Sequence, residues 1–290
     1  MGTLDILVCT IDDRIGRVPS LLLPPQEGVR YVVSMQYTQP RSLEGIPPQL
    51  RQRSDVSLVT LAGRGLSRNR NHGLAHCTAD AILIADDDVV YTLPRLRRLM
   101  ECLDDHPDVD VALFEATRRD GRLMKPYPSH ATDYRTAMAQ RGYYPSSWEI
   151  VLRRRAVGRL RFDERFGIGS VFRPNASCAE RAGAGEGRAA TVYLACGEEE
   201  VLMHDAVRTG LCVWFFPVVI GETDQGTGAH FLSDPAVQRA KGAVFAYTRK
   251  HPLYYCLREA AGQCLRHGAN PVRLVRRMWE GARVMRTVVV

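Results

Sequence analysis

The sequence lacks the features that mark membrane-spanning, secreted and zinc-binding chains. No stretch approaches the roughly 18–20 consecutive apolar residues of a spanning helix, and the N-terminal MGTLDILVCTIDD has no basic segment before its apolar run. The eight cysteines form no Cys-x-x-Cys pair, and most stand in apolar runs, as Cys9 and Cys212 do, which is typical of buried reduced thiols. We therefore expect a protein that is made and kept in the cytoplasm.

Two common nucleotide-binding motifs are also missing. Neither Gly-x-x-x-x-Gly-Lys-[Ser/Thr] nor Gly-x-Gly-x-x-Gly follows any predicted strand, which excludes a P-loop and a Rossmann site. An enzyme that makes sugar nucleotides, a nucleotidyltransferase, would normally have a glycine-rich loop with a basic residue after the first strand. The segment there, TIDDRIGRVPS, has one glycine and two acidic residues, so this enzyme class is kept only as an alternative.

The net charge of +7 is concentrated at one end of the chain. From Ala236 onward eleven Lys and Arg accompany two acidic residues, a local balance of +9, so the preceding residues carry −2. Uniform basicity would favour nucleic acid binding, whereas a basic tail on a near-neutral body favours docking to an anionic surface. We expect no nucleic acid partner, and a non-catalytic binder of nucleic acid or of an anionic surface is the third alternative.

The last part of this basic tail predicts an amphipathic helix. Its apolar residues recur at helical spacing, at Val275, Met278, Trp279, Ala282 and Met285. Such a helix either lies in a membrane interface or packs its apolar stripe on the protein, and the sequence favours neither. We predict one domain over 1–235 and a basic helical extension over 236–290, with a peripheral location at the inner membrane face if the tail binds lipid.

The first half of the chain alternates short apolar runs with helical stretches, a pattern that predicts βαβ units and a mostly parallel sheet flanked by helices. The runs at 4–9, 31–35 and 56–61 predict strands. The run at 81–85, AILIA, is wholly apolar, which is typical of a central strand buried on both faces. Ser67 is placed to cap a helix that extends to about Cys77.

Three aspartates, Asp86, Asp87 and Asp88, follow AILIA directly. Ligands of open α/β sheets bind beyond the carboxyl ends of the strands, and three adjacent carboxylates repel one another unless a cation or hydrogen bonds compensate. Mg²⁺ and Mn²⁺ take carboxylate oxygens and often share their coordination shell with substrate phosphates. The triplet therefore predicts a divalent metal site, with a solvated turn or a helix N-cap as the alternative.

A wider spacing adds context to the triplet. Arg70-Asn71-x-Gly73 precedes AILIA and Asp86-x-Asp88, an order that resembles the GT-A glycosyltransferases of family 2, in which an R-N-x-G helix precedes the strand that carries the D-x-D motif. Further resemblances are found along residues 4–232: a first strand that ends in Asp12-Asp13, an acidic residue before the third strand, FDERFGIGS at 162–170, and Gly197-Glu198-Glu199.

The resemblance implies a GT-A fold with a C-terminal helical tail, and an inverting transferase that moves a sugar from a nucleotide-diphosphate donor to a hydroxyl of a glycan or lipid-linked acceptor. The biological role that the resemblance implies is the assembly of surface polysaccharide or glycolipid. It implies Mn²⁺ or Mg²⁺ as cofactor, held by Asp86 and Asp88. The implied donor-binding residues are Thr10, Asp13, Asp55, Arg70, Asp86 and Asp87, and the acceptor-binding residues are Phe166, Gly167, Ile168, Gly169 and Glu198.

Inversion requires a general base that takes the proton of the acceptor hydroxyl. The resemblance implies Glu199 for this role, with Glu198 and Glu200 as alternatives. The family often places a histidine after the last core strand, whereas the segment FPVVIGETDQGTGAHF has Glu222 near that position and His230 downstream. Whether either residue completes the metal shell is left open.

Overall fold

The computed structural model of the chain describes residues 2–139, 143–171, 192–224 and 231–286. The strands are β1 Leu4–Ile11, β2 Val29–Tyr37, β3 Val56–Ala62, β4 Ala81–Asp86, β5 Val90–Tyr91, β6 Val111–Thr117, β7 Thr132–Asp133, β8 Ile150–Arg153 and β9 Val213–Glu222. The helices are α1 Pro48–Gln52, α2 Leu66–Leu74, α3 Leu93–Asp105, α4 Tyr134–Ala139, α5 Arg154–Val157, α6 Glu198–Arg208, α7 Pro235–Thr248, α8 Pro252–His267 and α9 Pro271–Arg286. Shorter 3₁₀ helices cover Asp12–Leu21, Pro40–Gly45 and Ser147–Glu149.

The strands join in one sheet, in the order β3-β2-β1-β4-β8-β6-β9-β5, with β7 paired to β9. Strands β1 to β4 run parallel to one another, as do β6 and β9, while β8 is antiparallel to both of its neighbours. Every side chain of the AILIA run at 81–85 is at most 1% exposed. The prediction of a mixed α/β fold with a mostly parallel sheet, and of a central strand buried on both faces, is confirmed.

Parallel pairing decides which residues share an edge of the sheet. Cys9 of β1 lies opposite Asp86 of β4, so the carboxyl ends of these two strands meet at one edge. Asp55 precedes β3, whose first residue pairs with Tyr31 near the start of β2. Asp55 therefore lies at the opposite, amino edge of the sheet.

The chain divides into two compact units. Unit 1 consists of Met1–Arg64, Arg68–Arg161 and Leu202–Gly226, and it contains the sheet. Unit 2 consists of Gly65–Ser67, Phe162–Val201 and Thr227–Val290, and it contains helices α7 to α9. Among the described residues, no helix is both long and apolar enough to cross a membrane.

Within unit 2, most of the predicted apolar stripe of α9 is buried by protein. Met278, Ala282 and Met285 are fully buried, Val275 and Trp279 are partly exposed, and α9 packs mainly against α7. Of the two alternatives for this stripe, packing on the protein is the one that the structure shows.

Two glycines allow the backbones of α7 and α9 to approach closely. A Cβ added at Gly242 would overlap the carbonyl of Met278, and one added at Gly281 would overlap the carbonyl of Arg239. Backbone atoms cannot move aside as the end of a side chain does, so the contact has no room for a methyl group.

Gly242→Ala is expected to lower the stability of unit 2 by about 1–3 kcal/mol, because the methyl group forces α7 and α9 apart. The measurement is the midpoint of urea unfolding, followed by circular dichroism. Gly262→Ala on α8 is the matched control, because its added Cβ meets only the end of the Arg266 side chain, at 3.3 Å. That control is expected to gain up to about 1 kcal/mol from helix propensity. Equal midpoints for Gly242→Ala and wild type would contradict the expectation.

Candidate functional site

An acidic cluster stands at the carboxyl edge of β1 and β4 in unit 1. Asp87, which is 3% exposed, accepts a hydrogen bond of 2.7 Å from the Thr10 hydroxyl. It also accepts one of 2.8 Å from Nε of Arg14, and Nη2 of Arg14 contacts its other carboxylate oxygen. Asp87 thus ties the end of β1 and the following 3₁₀ helix to the end of β4.

Arg14 is a residue of this site that the sequence analysis missed. Besides holding Asp87, its Nη2 lies 3.3 Å from Oδ2 of Asp88, and the side chain is 42% exposed. It contacts two of the three aspartates and still faces solvent, so it offers a positive charge to a ligand at this edge. The contact joins residues more than seventy positions apart, and no local pattern in the sequence indicates it.

Asp86 is oriented by two further residues. Nη2 of Arg70 lies 3.1 Å from Oδ1 of Asp86, and the Ser147 hydroxyl donates to Oδ2 at 3.1 Å. Arg70 is 1% exposed, and a guanidinium so buried requires a charged partner. The predicted neighbours Arg70 and Asp86 are therefore brought together, whereas Ser147 was not predicted.

The R-N-x-G segment has a physical role in packing α2 on the sheet. A Cβ added at Gly73 would overlap the side chain of Leu7, so the helix approaches β1 as only glycine permits. One turn earlier, the Asn69 amide donates to the carbonyl oxygens of Thr10 and Ser34, at 3.1 and 2.9 Å. These contacts place Arg70 beside Asp86.

Asp88 has the electrostatic properties of a cation ligand. Burial, and then the charges of Asp86 and Asp87, raise the pKa of its carboxyl, while Arg14 lowers it. A carboxylate destabilised by like charges gains most from a bound cation. In the described part of the chain no three His, Cys, Asp or Glu side chains gather as a ligand group, but Mg²⁺-type ions are commonly held by one or two carboxylates plus substrate phosphates. Asp86 and Asp88 fit a site of that kind.

The loop after β1 contains a strained residue beside the predicted Asp13. Asp12 has a φ of 47°, a conformation that non-glycine residues adopt mainly at constrained sites. Its carboxylate accepts hydrogen bonds of 2.8 to 2.9 Å from the backbone and hydroxyl of Thr38 and from the Ser42 hydroxyl. Asp12 therefore fixes the segment that follows β2, while Asp13 is exposed at the same edge of the sheet.

Asp55 is not brought to this cluster. It lies at the amino edge of the sheet, where its carboxylate pairs with Arg53 at 2.5 and 2.9 Å, and that arginine also donates to the Leu23 carbonyl. The resemblance placed Asp55 in the donor site as the acidic residue that directly precedes the third strand. The direction of β3 puts it at the wrong edge for a shared ligand.

Glu222 is the last residue of β9 and lies opposite Val90 in the antiparallel pair with β5. Val90 comes two residues after Asp88 along the chain. Oε2 of Glu222 is 3.9 Å from Nη1 of Arg95. His230, the other residue considered for the metal shell, lies outside the described residues.

In unit 2, the predicted acceptor loop is a tight turn. Gly167 and Gly169 have φ values of 101° and 75°, which only glycine adopts readily. Ile168 between them is 60% exposed, whereas Phe166 is fully buried with its ring against Tyr247. Direct contact of the Phe166 side chain with an acceptor, which the resemblance implies, is therefore not supported, because the ring presents no open face.

Ser67 does not cap α2 as predicted. The helix begins at Leu66, and the Ser67 hydroxyl instead donates to the Phe166 carbonyl at 2.6 Å. The Leu66 backbone N–H donates to the Ile168 carbonyl at 2.9 Å. These two bonds hold the predicted acceptor loop to the segment that begins α2.

The three glutamates that begin α6 differ in their surroundings. Glu198 is 4% exposed and lies close to Gly167. Glu200 pairs with Lys241 at 2.8 Å, so its charge is balanced within unit 2. Glu199 is partly exposed.

Comparison with known proteins agrees with this architecture. Residues 40–170 match the family model described as Glycosyl transferase family 2. No curated protein sequence matches the chain. The solved structure of S. aureus TarS 1–349 is similar, with a TM-score of 0.57 and 12% identity over 99% of this chain and 91% of that one.

Two ligand complexes are similar as well. TarS 1–349 in complex with UDP-GlcNAc matches with a TM-score of 0.54 and 11% identity, over 99% of this chain and 91% of that one. The mannosyltransferase PcManGT from Pyrobaculum calidifontis, in complex with GDP-Man and Mn²⁺, matches with a TM-score of 0.50 and 13% identity, over 99% of this chain and 73% of that one. The chain therefore has the GT-A fold of these solved structures, and its residues 40–170 are similar to glycosyltransferase family 2.

Proposed function

We propose that the chain transfers a sugar from a nucleotide-diphosphate donor to an acceptor hydroxyl, with inversion at the anomeric carbon and with Mn²⁺ or Mg²⁺ as cofactor. The observation that carries the proposal is the acidic cluster at the end of β4, in which Asp86 and Asp88 flank a structurally engaged Asp87. Support comes from structural neighbours that were solved with UDP-GlcNAc and with GDP-Man and Mn²⁺.

Each aspartate of the cluster has a different part in this proposal. Asp86 and Asp88 would hold the metal ion, which when bound neutralises charge on the leaving diphosphate. Asp87 holds the ends of β1 and β4 in place through Thr10 and Arg14. Arg70 fixes the orientation of Asp86 from behind.

The donor is proposed to lie along the carboxyl edge of the sheet, next to Thr10 and Asp13. Arg14 adds a charge suited to phosphate oxygens, because its guanidinium matches their geometry and its side chain is partly exposed. Asp55 is left out of the proposed donor site because it lies at the opposite edge.

The acceptor is proposed to meet the loop at 166–169, where exposed Ile168 is the apolar contact and buried Glu198 lies close to Gly167. Glu199 is proposed as the general base that takes the proton of the acceptor hydroxyl. A lipid-linked or growing surface glycan is proposed as the acceptor class, at the inner face of a membrane. Support for that class is the local balance of +9 from residue 236 onward, since such acceptors lie beside anionic headgroups.

The test is a thermal-shift matrix of UDP, GDP, dTDP and CMP, each with Mn²⁺, Mg²⁺ or EDTA. A ligand that binds only the folded protein stabilises it by mass action, by about 2.7 kcal/mol when its concentration is a hundred times its Kd. We expect one nucleotide to raise the melting temperature, and only with metal present. The absence of any shift with every nucleotide and metal would overturn the proposal.

The reaction itself is then followed with the sugar nucleotides of that base. Release of a nucleoside diphosphate without cleavage of nucleoside triphosphates is expected. Formation of pyrophosphate from a triphosphate and a sugar phosphate would instead identify a nucleotidyltransferase.

A further inference from the structure

The helix α8 in unit 2 has two apolar faces, and within the described parts of the chain one of them is covered while the other is exposed. Its inner face buries Cys256 and Ala260, which are at most 1% exposed, against the neighbouring helices. On the other side stand four large apolar residues whose exposure ranges from 44% to 88%, namely Leu253, Tyr254, Leu257 and Leu265. We call these four residues and Arg258 the outer face of α8.

The spacing places the outer face in a single stripe. Leu253, Leu257 and Leu265 are separated by four and eight residues, so they follow one another along the same side of the helix. Single exposed apolar residues are normal on protein surfaces, but contiguous apolar patches with a polar rim mark interaction sites. A helix with apolar residues on two sides is usually buried on both of those sides.

The rim of this stripe is basic. Residues 249–267, which include α8, contain four Lys and Arg and one acidic residue, Glu259. Arg258 and Arg249 lie over the ring of Tyr255, at 5.1 and 5.3 Å from its centroid, so two of these cations are held near the base of the stripe by cation–π contact. Lys250 and Arg266, at the two ends of α8, are exposed.

This combination favours a lipid surface over another protein copy. An apolar stripe flanked by Lys and Arg matches the interface of an anionic bilayer, where apolar side chains enter the headgroup region and nearby basic residues are attracted to the lipid phosphates. A second copy of the chain would bring the same positive rim against itself, and like charges oppose such pairing.

We propose that the outer face of α8 docks the protein on the surface of an anionic lipid bilayer. The contact differs from the one that the sequence predicts, because the stripe of α9 is buried whereas that of α8 is exposed. Leucine and tyrosine side chains enter the interface, and Lys250, Arg258 and Arg266 contact the lipid phosphates.

The test is co-sedimentation of the full chain with vesicles of phosphatidylcholine alone and of phosphatidylcholine mixed with phosphatidylglycerol. We expect binding to the mixed vesicles only, with weakening at high salt because the Debye length shortens. The double variant Leu257→Glu/Leu265→Glu is expected to bind at least about tenfold more weakly, because it removes apolar contacts and adds negative charge. Both side chains are exposed, so its melting temperature should match wild type.

Leu123→Glu is the matched control, because Leu123 is similarly exposed but belongs to unit 1. It should bind vesicles as wild type does, and nucleotide-dependent thermal shifts should be unchanged in all variants. Failure to bind mixed vesicles, or equal binding by the double variant, would overturn the proposal. Light scattering that shows a wild-type dimer and a monomeric double variant would assign the outer face to self-association instead.

Discussion

Asp88→Asn is expected to abolish sugar transfer, with kcat/KM falling at least about a hundredfold, and to remove the metal dependence of nucleotide binding. A catalytic divalent ion contributes several kcal/mol of charge stabilisation, and each 1.36 kcal/mol corresponds to about a factor of ten in rate. Asparagine keeps the size of the side chain but removes the charge that attracts the ion.

The loss should not come from unfolding. Burial and the neighbours Asp86 and Asp87 raise the pKa of Asp88, so the folded state disfavours its charged form. An amide at this position relieves repulsion within the cluster, and the melting temperature without metal should be equal to or above that of wild type.

The measurement is the initial rate of nucleoside diphosphate release as Mn²⁺ is titrated, together with the nucleotide-induced thermal shift. Asp120→Asn is the control, because Asp120 is an exposed carboxylate that pairs only with the nearby Arg122 among its described contacts. It should behave as wild type in both assays. Full Mn²⁺-dependent activity in Asp88→Asn would exclude Asp88 as a metal ligand.

Glu199→Gln is expected to lower kcat by about 10²- to 10⁴-fold, the usual contribution of a positioned general base, while donor binding is unchanged. Glutamine keeps the shape of the side chain but cannot accept the proton of the acceptor hydroxyl at neutral pH. The fall should therefore appear in kcat and not in the nucleotide-induced thermal shift.

Glu200→Gln provides the matched control. Glu200 stands one position further along α6 and pairs with Lys241 at 2.8 Å, so its loss should affect stability slightly and catalysis little. An equal loss of donor binding and transfer in Glu199→Gln, or inactivity of Glu200→Gln alone, would argue against Glu199 as the base. The anomeric configuration of the product, read by proton NMR, tests inversion directly.

The edge of the sheet at which the acidic cluster lies was predictable, because the apolar run and the aspartates that indicate it are adjacent in the sequence. A wholly apolar run of five residues indicates a strand buried on both faces, and the aspartates that follow it must then stand at the carboxyl end of that strand. The pairing of Cys9 with Asp86 confirms this placement. The helix that carries R-N-x-G was also predicted, although Ser67, the residue predicted to cap it, bonds to the Phe166 carbonyl instead.

The partners of the aspartates were not predictable. Arg14 and Ser147 reach the cluster across 73 and 61 residues, and such contacts depend on strand order and register, which a local pattern does not carry. Asp55 was included in the predicted site although it lies away from the cluster. Its position before a strand is visible in the sequence, but the edge of the sheet at which it lies depends on the direction of β3.

In the C-terminal helices, some properties follow from the sequence alone and others depend on tertiary packing. Amphipathic spacing and a local balance of +9 are properties of the chain itself, and they predict basic helices with apolar stripes. Which stripe is covered depends on how the helices pack. Gly242 and Gly281 let α7 and α9 approach until the stripe of α9 is buried. The outer face of α8 is exposed. Periodicity in the sequence indicates that a helix has an apolar face, but whether that face is buried depends on which elements pack against it.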